Sequence, residues 1–160
     1  MSDKVFPCLW FDGNAEEAMR FYASVFPRVK FLEEMRYTEA GPGPAGSLLS
    51  VTVEIEGQRF VALNGGPQFK FTPAVSFFVN CDSQEEIDRL WSGLCEGGTP
   101  IQCGWVTDRY GLSWQIVPRT LLRMLQDRDT ARAARVMRAM FKMVKLDVAE
   151  LTRAYEGASP

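Results

Sequence analysis

Apolar positions recur at helical spacing in two segments that superpose without a gap. In the first, Ala15, Ala18, Met19, Tyr22 and Phe26 fall at intervals of three and four; in the second, Ile87, Leu90, Trp91 and Leu94 do the same. Glu16, Glu17, Arg20 and Tyr22 lie over Glu85, Glu86, Arg89 and Trp91, an offset of 69 residues. Each segment opens on a side-chain acceptor, Asn14 or Ser83, with a glutamate three residues on. Ser83 and Glu86 form a capping box and Asn14 and Glu17 a variant of one. Pro27 stops the first helix and Gly97-Gly98 the second.

Period-two alternation fills the intervals. Apolar strands VFPCLWF (5–11) and AVSFFV (74–79) precede the two helices, and strands at 29–37, 47–55 and 58–63 follow the first, with GPGPAG (41–46) a mobile loop between the earlier two. GQRFVAL (57–63) matches GLSWQIV (111–117) at an offset of 54, so the second half is 15 residues shorter, about one strand plus a loop. In GWVTDRYGLSWQIVP (104–118) a turn at Arg109-Tyr110-Gly111 joins two strands. Leu112, Trp114 and Ile116 take one face of the second strand, Ser113, Gln115 and Val117 the other. The pattern predicts an α+β chain. Two βαβββ-type modules (5–64 and 73–118, linker 65–72) make up a region 1–118. They form a curved mixed sheet or half-barrel whose concave face is open to a small molecule.

Residues 119–160 read as a C-terminal helical arm, and composition changes there. Between 119 and 145 stand eight Arg or Lys against two Asp, whereas residues 1–118 hold nine basic and fifteen acidic residues. Arg128, Arg132, Arg135, Arg138, Lys142 and Lys145 step along one helical face, with Val136, Met137, Met140, Phe141 and Val144 on an apolar face. Asp147 caps a last helix, Val148 to Tyr155. A basic stripe without aromatic interleaving, in a chain of pI near 5.3, points away from nucleic acid. It suits a homodimer in which the arm meets an acidic body. No apolar run of 18 residues exists and MSDKVFP lacks a leader pattern, so the expectation is a cytoplasmic protein without a membrane partner.

The chain has no histidine, which excludes Ser-His-Asp and Cys-His catalysis. Cys8, Cys81, Cys95 and Cys103 show no CxxC spacing and read as small hydrophobes. Trp10, Trp105, Trp114, Phe69, Asn64 and Gln115 are placed near the mouth of the concave face. Flat apolar walls with a few amides there suit a ring-bearing organic ligand. Trp114 points away from Gln115 by alternation. Asn64-Gly65-Gly66-Pro67 permits a sharp reversal, not a phosphate cradle.

The motifs PCLWFDGNAEEAMRFYASVFP (7–27), FVALNGGPQFKFTPAVSFFV (60–79) and CGWVTDRYGLSWQIVP (103–118) resemble those of the vicinal oxygen chelate superfamily, which includes glyoxalase, bleomycin-resistance and dihydroxybiphenyl-dioxygenase proteins. More narrowly they resemble its PhnB-like branch, often labelled 3-demethylubiquinone-9 3-methyltransferase-like. A weaker likeness continues into ARVMRAMFKMVKLDVAELTRAY. The resemblance implies a homodimer and either lyase, isomerase or transferase chemistry or sequestration of a ligand without turnover. In metal-using members one position on the first and last strand of each half supplies a ligand; carried over, these are Pro7, Val61, Ser76 and Gln115. Proline and valine offer no donor, serine is a poor one, and a single amide does not hold a divalent ion. A metal-free site without cofactor is therefore expected, with Gln115, and Ser76 beside it, as hydrogen-bonding groups. No glycine-rich loop follows the first strand, so S-adenosylmethionine methyl transfer is not expected. Asp108, Tyr110 and Cys103 lie near enough to be considered as bases, and no catalytic residue is assigned.

Overall fold

Both helices form where the apolar spacing puts them, at Ala15–Val25 (α1) and Gln84–Cys95 (α2), but their first turns are satisfied differently. Ser83 Oγ accepts from the Glu86 amide at 3.1 Å, and the Glu86 carboxylate accepts from the Asp82 amide at 2.8 Å, a local reciprocal cap. Asn14 makes no side-chain cap. The Ala15 amide instead donates to Asn64 Oδ1 at 2.9 Å, so a residue distant in sequence does the work of the missing cap.

The computed structural model describes residues 4–157, in two compact units that divide between Phe71 and Thr72. The first unit contains β1 (Cys8–Phe11), α1, β2 (Val29–Arg36), β3 (Leu48–Ile55) and β4 (Gln58–Asn64). Its sheet order is β1-β4-β3-β2, with β1 parallel to β4 and the other pairs antiparallel. The second contains β5 (Ser76–Cys81), α2, β6 (Thr99–Pro100), β7 (Trp105–Thr107) and β8 (Ser113–Pro118), in the order β5-β8-β7-β6 with β5 parallel to β8. The repeat is thus one of topology as well as of sequence. Shortening of the second half removes no strand, contrary to the expectation of a strand plus a loop. β2 and β3 have eight residues each, β6 and β7 two and three, and the 37–47 connection contracts to 101–104.

Each sheet buries one face under its helix. Phe11, Val51, Val53, Phe60 and Ala62 close over Ala15, Ala18, Met19 and Tyr22 of α1. In the second unit Val106, Trp114 and Ile116 lie on the side covered by Ile87, Leu90 and Leu94 of α2. Alternation leaves Trp10 and Val61 on the other face of the first sheet, and Ser76, Phe78, Trp105 and Gln115 on the other face of the second.

The arm belongs to the second unit. β8 runs through Pro118 into α3 (Arg119–Leu125), followed by α4 (Thr130–Met140) and α5 (Val148–Glu156). Asp147 caps α5 by accepting from the Glu150 amide at 3.0 Å. The predicted long apolar face is broken because α4 ends at Met140. Of that face Val136 is buried and Met140 packs against the arm's core, while Met137, Phe141 and Val144 are exposed; Met143 and Leu146, in the turn, complete the core with Val117, Leu121 and Leu151. Polar bonds then fix the turn. Gln84 of α2 donates to Leu146 O at 3.1 Å and accepts from the Val148 amide at 2.8 Å, while Lys145 pairs with Asp88 at 2.7 Å. The amides of Cys103 and Gly104 donate to Met143 O and Val144 O at 2.9 and 2.8 Å. Tyr155 donates to Asp127, and the Arg132 guanidinium lies over the Tyr155 ring at 4.8 Å.

Gln84→Leu strands two backbone groups of the turn at once, and urea unfolding is expected to show a loss of about 2 kcal/mol. Two carboxyls of this region sit below their ordinary range, Asp88 through its bonds from Lys145 and then Gln84, Asp127 through its bonds from Tyr155 and then the Asp129 amide. Their folded values lie below the unfolded ones. The stabilisation they give is therefore complete above the unfolded carboxyl range, near about pH 4, and is lost as pH falls through the lowered values. Melting curves between pH 5 and pH 2 (roughly the span of carboxyl titration) are expected to be flatter for the double variant Asp88→Asn/Asp127→Asn than for the native chain.

Candidate functional site

The parallel pairing of first and last strands brings together, within each unit, the two positions carried over as ligand positions, Pro7 with Val61 and Ser76 with Gln115. In the first unit the Val61 amide donates to Pro7 O at 3.0 Å. In the second, Gln115 Nε2 donates to Ser76 Oγ at 3.0 Å. One pair is a backbone bond between two residues whose side chains have nothing to offer a ligand. The other is a polar couple on an open sheet face.

Of the residues singled out from the sequence, Trp10, Asn64 and Phe69 fall in the first unit and are engaged with one another's surroundings. Trp10 Nε1 donates to Gly66 O at 2.8 Å, and Phe69 meets the indole edge-on at 4.9 Å. The ring lies flat on Gly65, where a Cβ would come within 2.3 Å of it. Asn64 is a joint: besides taking the Ala15 amide, its Nδ2 donates to Leu48 O at 3.2 Å and its own carbonyl accepts from Tyr37 Oη at 2.8 Å. The GPGPAG loop, expected to be mobile, folds onto that same tyrosine. Cβ atoms at Gly41 and Gly43 would stand 2.9 and 2.6 Å from its ring. A polar groove of about 520 Å³ remains beside Asp12, Glu16, Tyr37, Asn64 and Gln68.

Ser76, Trp105 and Gln115 lie in the second unit. Phe78 of β5 and Trp105 of β7 flank Gln115 across the sheet. Gln115 and Trp105 open into a cleft of about 510 Å³ whose opposite side is made by Leu121, Leu122 and Leu125 of α3 with Met140 and Phe141 at the end of α4. Ser76 stands behind Gln115 and orients its amide. Leu121, Leu122 and Leu125 come from the apolar cluster in RTLLRML, which the sequence does not mark as part of a site, and Met140 and Phe141 from the predicted apolar face of the arm; only tertiary contact turns them toward Gln115.

The three nearby titratable candidates are placed as follows. Asp108 is buried and accepts from the Tyr110 amide at 2.8 Å, the Leu112 amide at 3.1 Å and Trp114 Nε1 at 2.9 Å. It organises the turn and holds Trp114 on the α2 side, away from Gln115. Tyr110 occupies that turn. Cys103 lines the cleft from a left-handed backbone position with φ 61°. Burial pushes the Cys81 thiol up to about 12 and raises Cys8 and Cys95 as well, so these three are thiols at neutral pH.

The residues present do not fit a resident divalent ion. The Pro7 carbonyl is spent on the Val61 amide, the Val61 side chain has no ligating atom, and Ser76 and Gln115, bonded to each other, offer only a neutral hydroxyl and an amide. Among the described residues no three Cys, Asp or Glu side chains gather as a ligand set. Hard cations need several oxygen donors, with carboxylates among them.

A family model described as 3-demethylubiquinone-9 3-methyltransferase matches residues 3–117. The chain belongs to this family, the PhnB-like branch of the vicinal oxygen chelate superfamily. A PhnB protein from Bacillus cereus is 37% identical, with 71% of this chain and 97% of that one covered and a TM-score of 0.64. Protein PA1353 from Pseudomonas aeruginosa, 24% identical over 71% of this chain and 95% of its own, shares the fold with a TM-score of 0.58. A search of curated proteins returned no match. The PhnB-like match ends at Val117, so α3 to α5 lie beyond it, and the weaker likeness expected over 134–155 is not part of it.

Asn64→Ala leaves the first amide of α1 and the Leu48 carbonyl without partners, and is expected to cost about 2 kcal/mol in urea unfolding. Gly65→Ala drives a methyl group into the Trp10 ring, and a lowered melting temperature with altered tryptophan fluorescence is its expected signature.

Proposed function

We propose that this PhnB-like protein binds a small organic molecule, aromatic or carbonyl-bearing, without a metal or other cofactor. The observation that supports it best is the Ser76–Gln115 couple. A neutral amide, oriented by a hydroxyl, stands between Phe78 and Trp105 on an open sheet face and looks into an apolar cleft. Such a site holds its ligand by apolar contact and one or two directed hydrogen bonds. If the ligand is turned over, the chemistry is of the lyase, isomerase or transferase kind, with Gln115 positioning the reacting group. The methyl transfer in the family's description is not carried over. A homodimer, with the basic arm against an acidic partner surface, completes the proposal. Among the described residues no helix is long and apolar enough to cross a membrane.

Sequestration without turnover is the second reading. In its favour, no carboxylate lines the cleft, and both oxygens of Asp108 are occupied by the turn and Trp114. General acid–base catalysis would need a proton carrier within reach of the ligand.

Elemental analysis of the purified protein is expected to find no stoichiometric divalent ion, and a thermal-shift screen of metabolites and antibiotics is expected to give a ligand whose stabilisation survives chelator and is lost in Gln115→Leu. A tightly held ion, or a hit indifferent to Gln115, contradicts the proposal. Mass spectrometry of the recovered ligand separates turnover from sequestration, and sedimentation velocity is expected to show a dimer.

A further inference from the structure

We infer that the C-terminal arm is a wall of the ligand site, and that the site takes a neutral, flat, apolar molecule carrying a single hydroxyl-type hydrogen-bonding group. The inference rests on the Gln115 face being where a ligand binds and adds to it what the ligand is and what closes over it.

The floor of the cleft comes from the sheet: Gln115, Trp105 and Phe78. The facing side comes from the arm: Leu122 and Leu125 on α3, and Phe141 just past α4. Floor and wall are tied at one point. Cys103, at the cleft's edge, donates through its amide to Met143 O, two residues beyond Phe141, and Gly104 donates to Val144 O. The wall is therefore fixed relative to the floor by backbone bonds. Phe141 is 60% exposed, Phe78 44% and Leu122 40%, apolar surface at the mouth that a bound molecule would remove from water.

Three features of the lining state the ligand's chemistry. No Asp, Glu, Lys or Arg lines the cleft, so a charged ligand would shed its hydration with nothing to replace it. Aromatic groups on the floor and at the mouth favour a flat ring over a branched chain. Gln115 has given one of its two Nε2–H groups to Ser76, and among the described residues its Oε1 accepts from no protein donor. The amide therefore offers a ligand an acceptor oxygen and one remaining N–H, a combination that a single hydroxyl, donor and acceptor at once, can meet. The volume, about 510 Å³, accommodates a fused-ring molecule with room for a substituent. Because the PhnB-like match stops at Val117, the arm side of this site lies in a part of the chain that the family description does not reach.

Three related probes test the inference on the full chain: naphthol, naphthalene and naphthoate, titrated against ligand and tryptophan fluorescence. Naphthol is expected to bind about fivefold more tightly than naphthalene, the effect of one net hydrogen bond, and naphthoate at least about tenfold more weakly than naphthol. Gln115→Leu is expected to erase the difference between naphthol and naphthalene. Leu122→Trp, which fills the cleft, and Phe141→Asp, which puts a charge at its mouth, are each expected to weaken both neutral probes by about tenfold while leaving the melting temperature unchanged, since both side chains are exposed. Naphthoate binding as well as naphthol overturns the ligand class. Naphthol, or a hit from the metabolite screen, that needs Gln115 but ignores both arm substitutions removes the arm from the site while leaving the Gln115 reading intact. Failure of all three probes alongside a productive screen overturns the ligand class alone, and failure of both overturns the reading on which it rests.

Discussion

The constraint on which the rest depends is the parallel pairing of the first and last strand of each module. Two parallel neighbours cannot be joined by a tight turn, so a long crossover must intervene, and here it holds a helix and two further strands. The register that results sets Cys8 against Val61 and Phe78 against Gln115. Residues separated by most of a module become adjacent, and each module acquires one equivalent spot where the two strands can act together. In the first, backbone and aliphatic groups occupy it; in the second, a hydroxyl and an amide do. One sheet plan thus yields an inert strand junction and a polar one, and the difference lies in the side chains that the plan juxtaposes.

That difference directs the chemistry. Divalent ions select carboxylate and imidazole donors, and this chain has no histidine and places no carboxylate at the paired positions. An amide held by serine has a fixed orientation and no charge, which suits recognition of a neutral polar group inside apolar surroundings. Asp108, the carboxylate closest in sequence, is consumed by the turn that delivers β8 to its place. Fold and the proposed recognition draw on the same hairpin, with the acidic group assigned to the former.

The arm makes the second unit different from the first. Its core of Val117, Leu121, Val136, Met143, Leu146 and Leu151 begins on β8 itself, so the arm continues the sheet's hydrophobic packing instead of sitting on it as an appendage. Gln84 then mimics a strand neighbour, giving and taking one backbone bond in the 146–148 turn. The first unit keeps long strands and a loop wound on Tyr37; the second has trimmed strands and three helices. The region trimmed in the second half, 101–104, is the region that meets the arm.

Local physics alone determined a good part of this protein. Helical spacing defined α1 and α2, the Ser83 cap the start of α2, and alternation the strands and the face on which Gln115 lies, because each of these signals is carried by residues close together in the chain, while the two offsets announced a duplicated topology. Donor chemistry at Pro7, Val61, Ser76 and Gln115 was legible too, since side-chain identity needs no coordinates. Tertiary structure decided what lies across from what. Asn64 bonds the start of α1 and Leu48; Trp10 packs on Gly65; and the apolar residues of RTLLRML and Phe141 line the cleft with Gln115. None of these follows from periodicity, because a hydrogen bond or a cavity wall is made by groups tens of residues apart, and their meeting is set by how helices end and strands register in three dimensions.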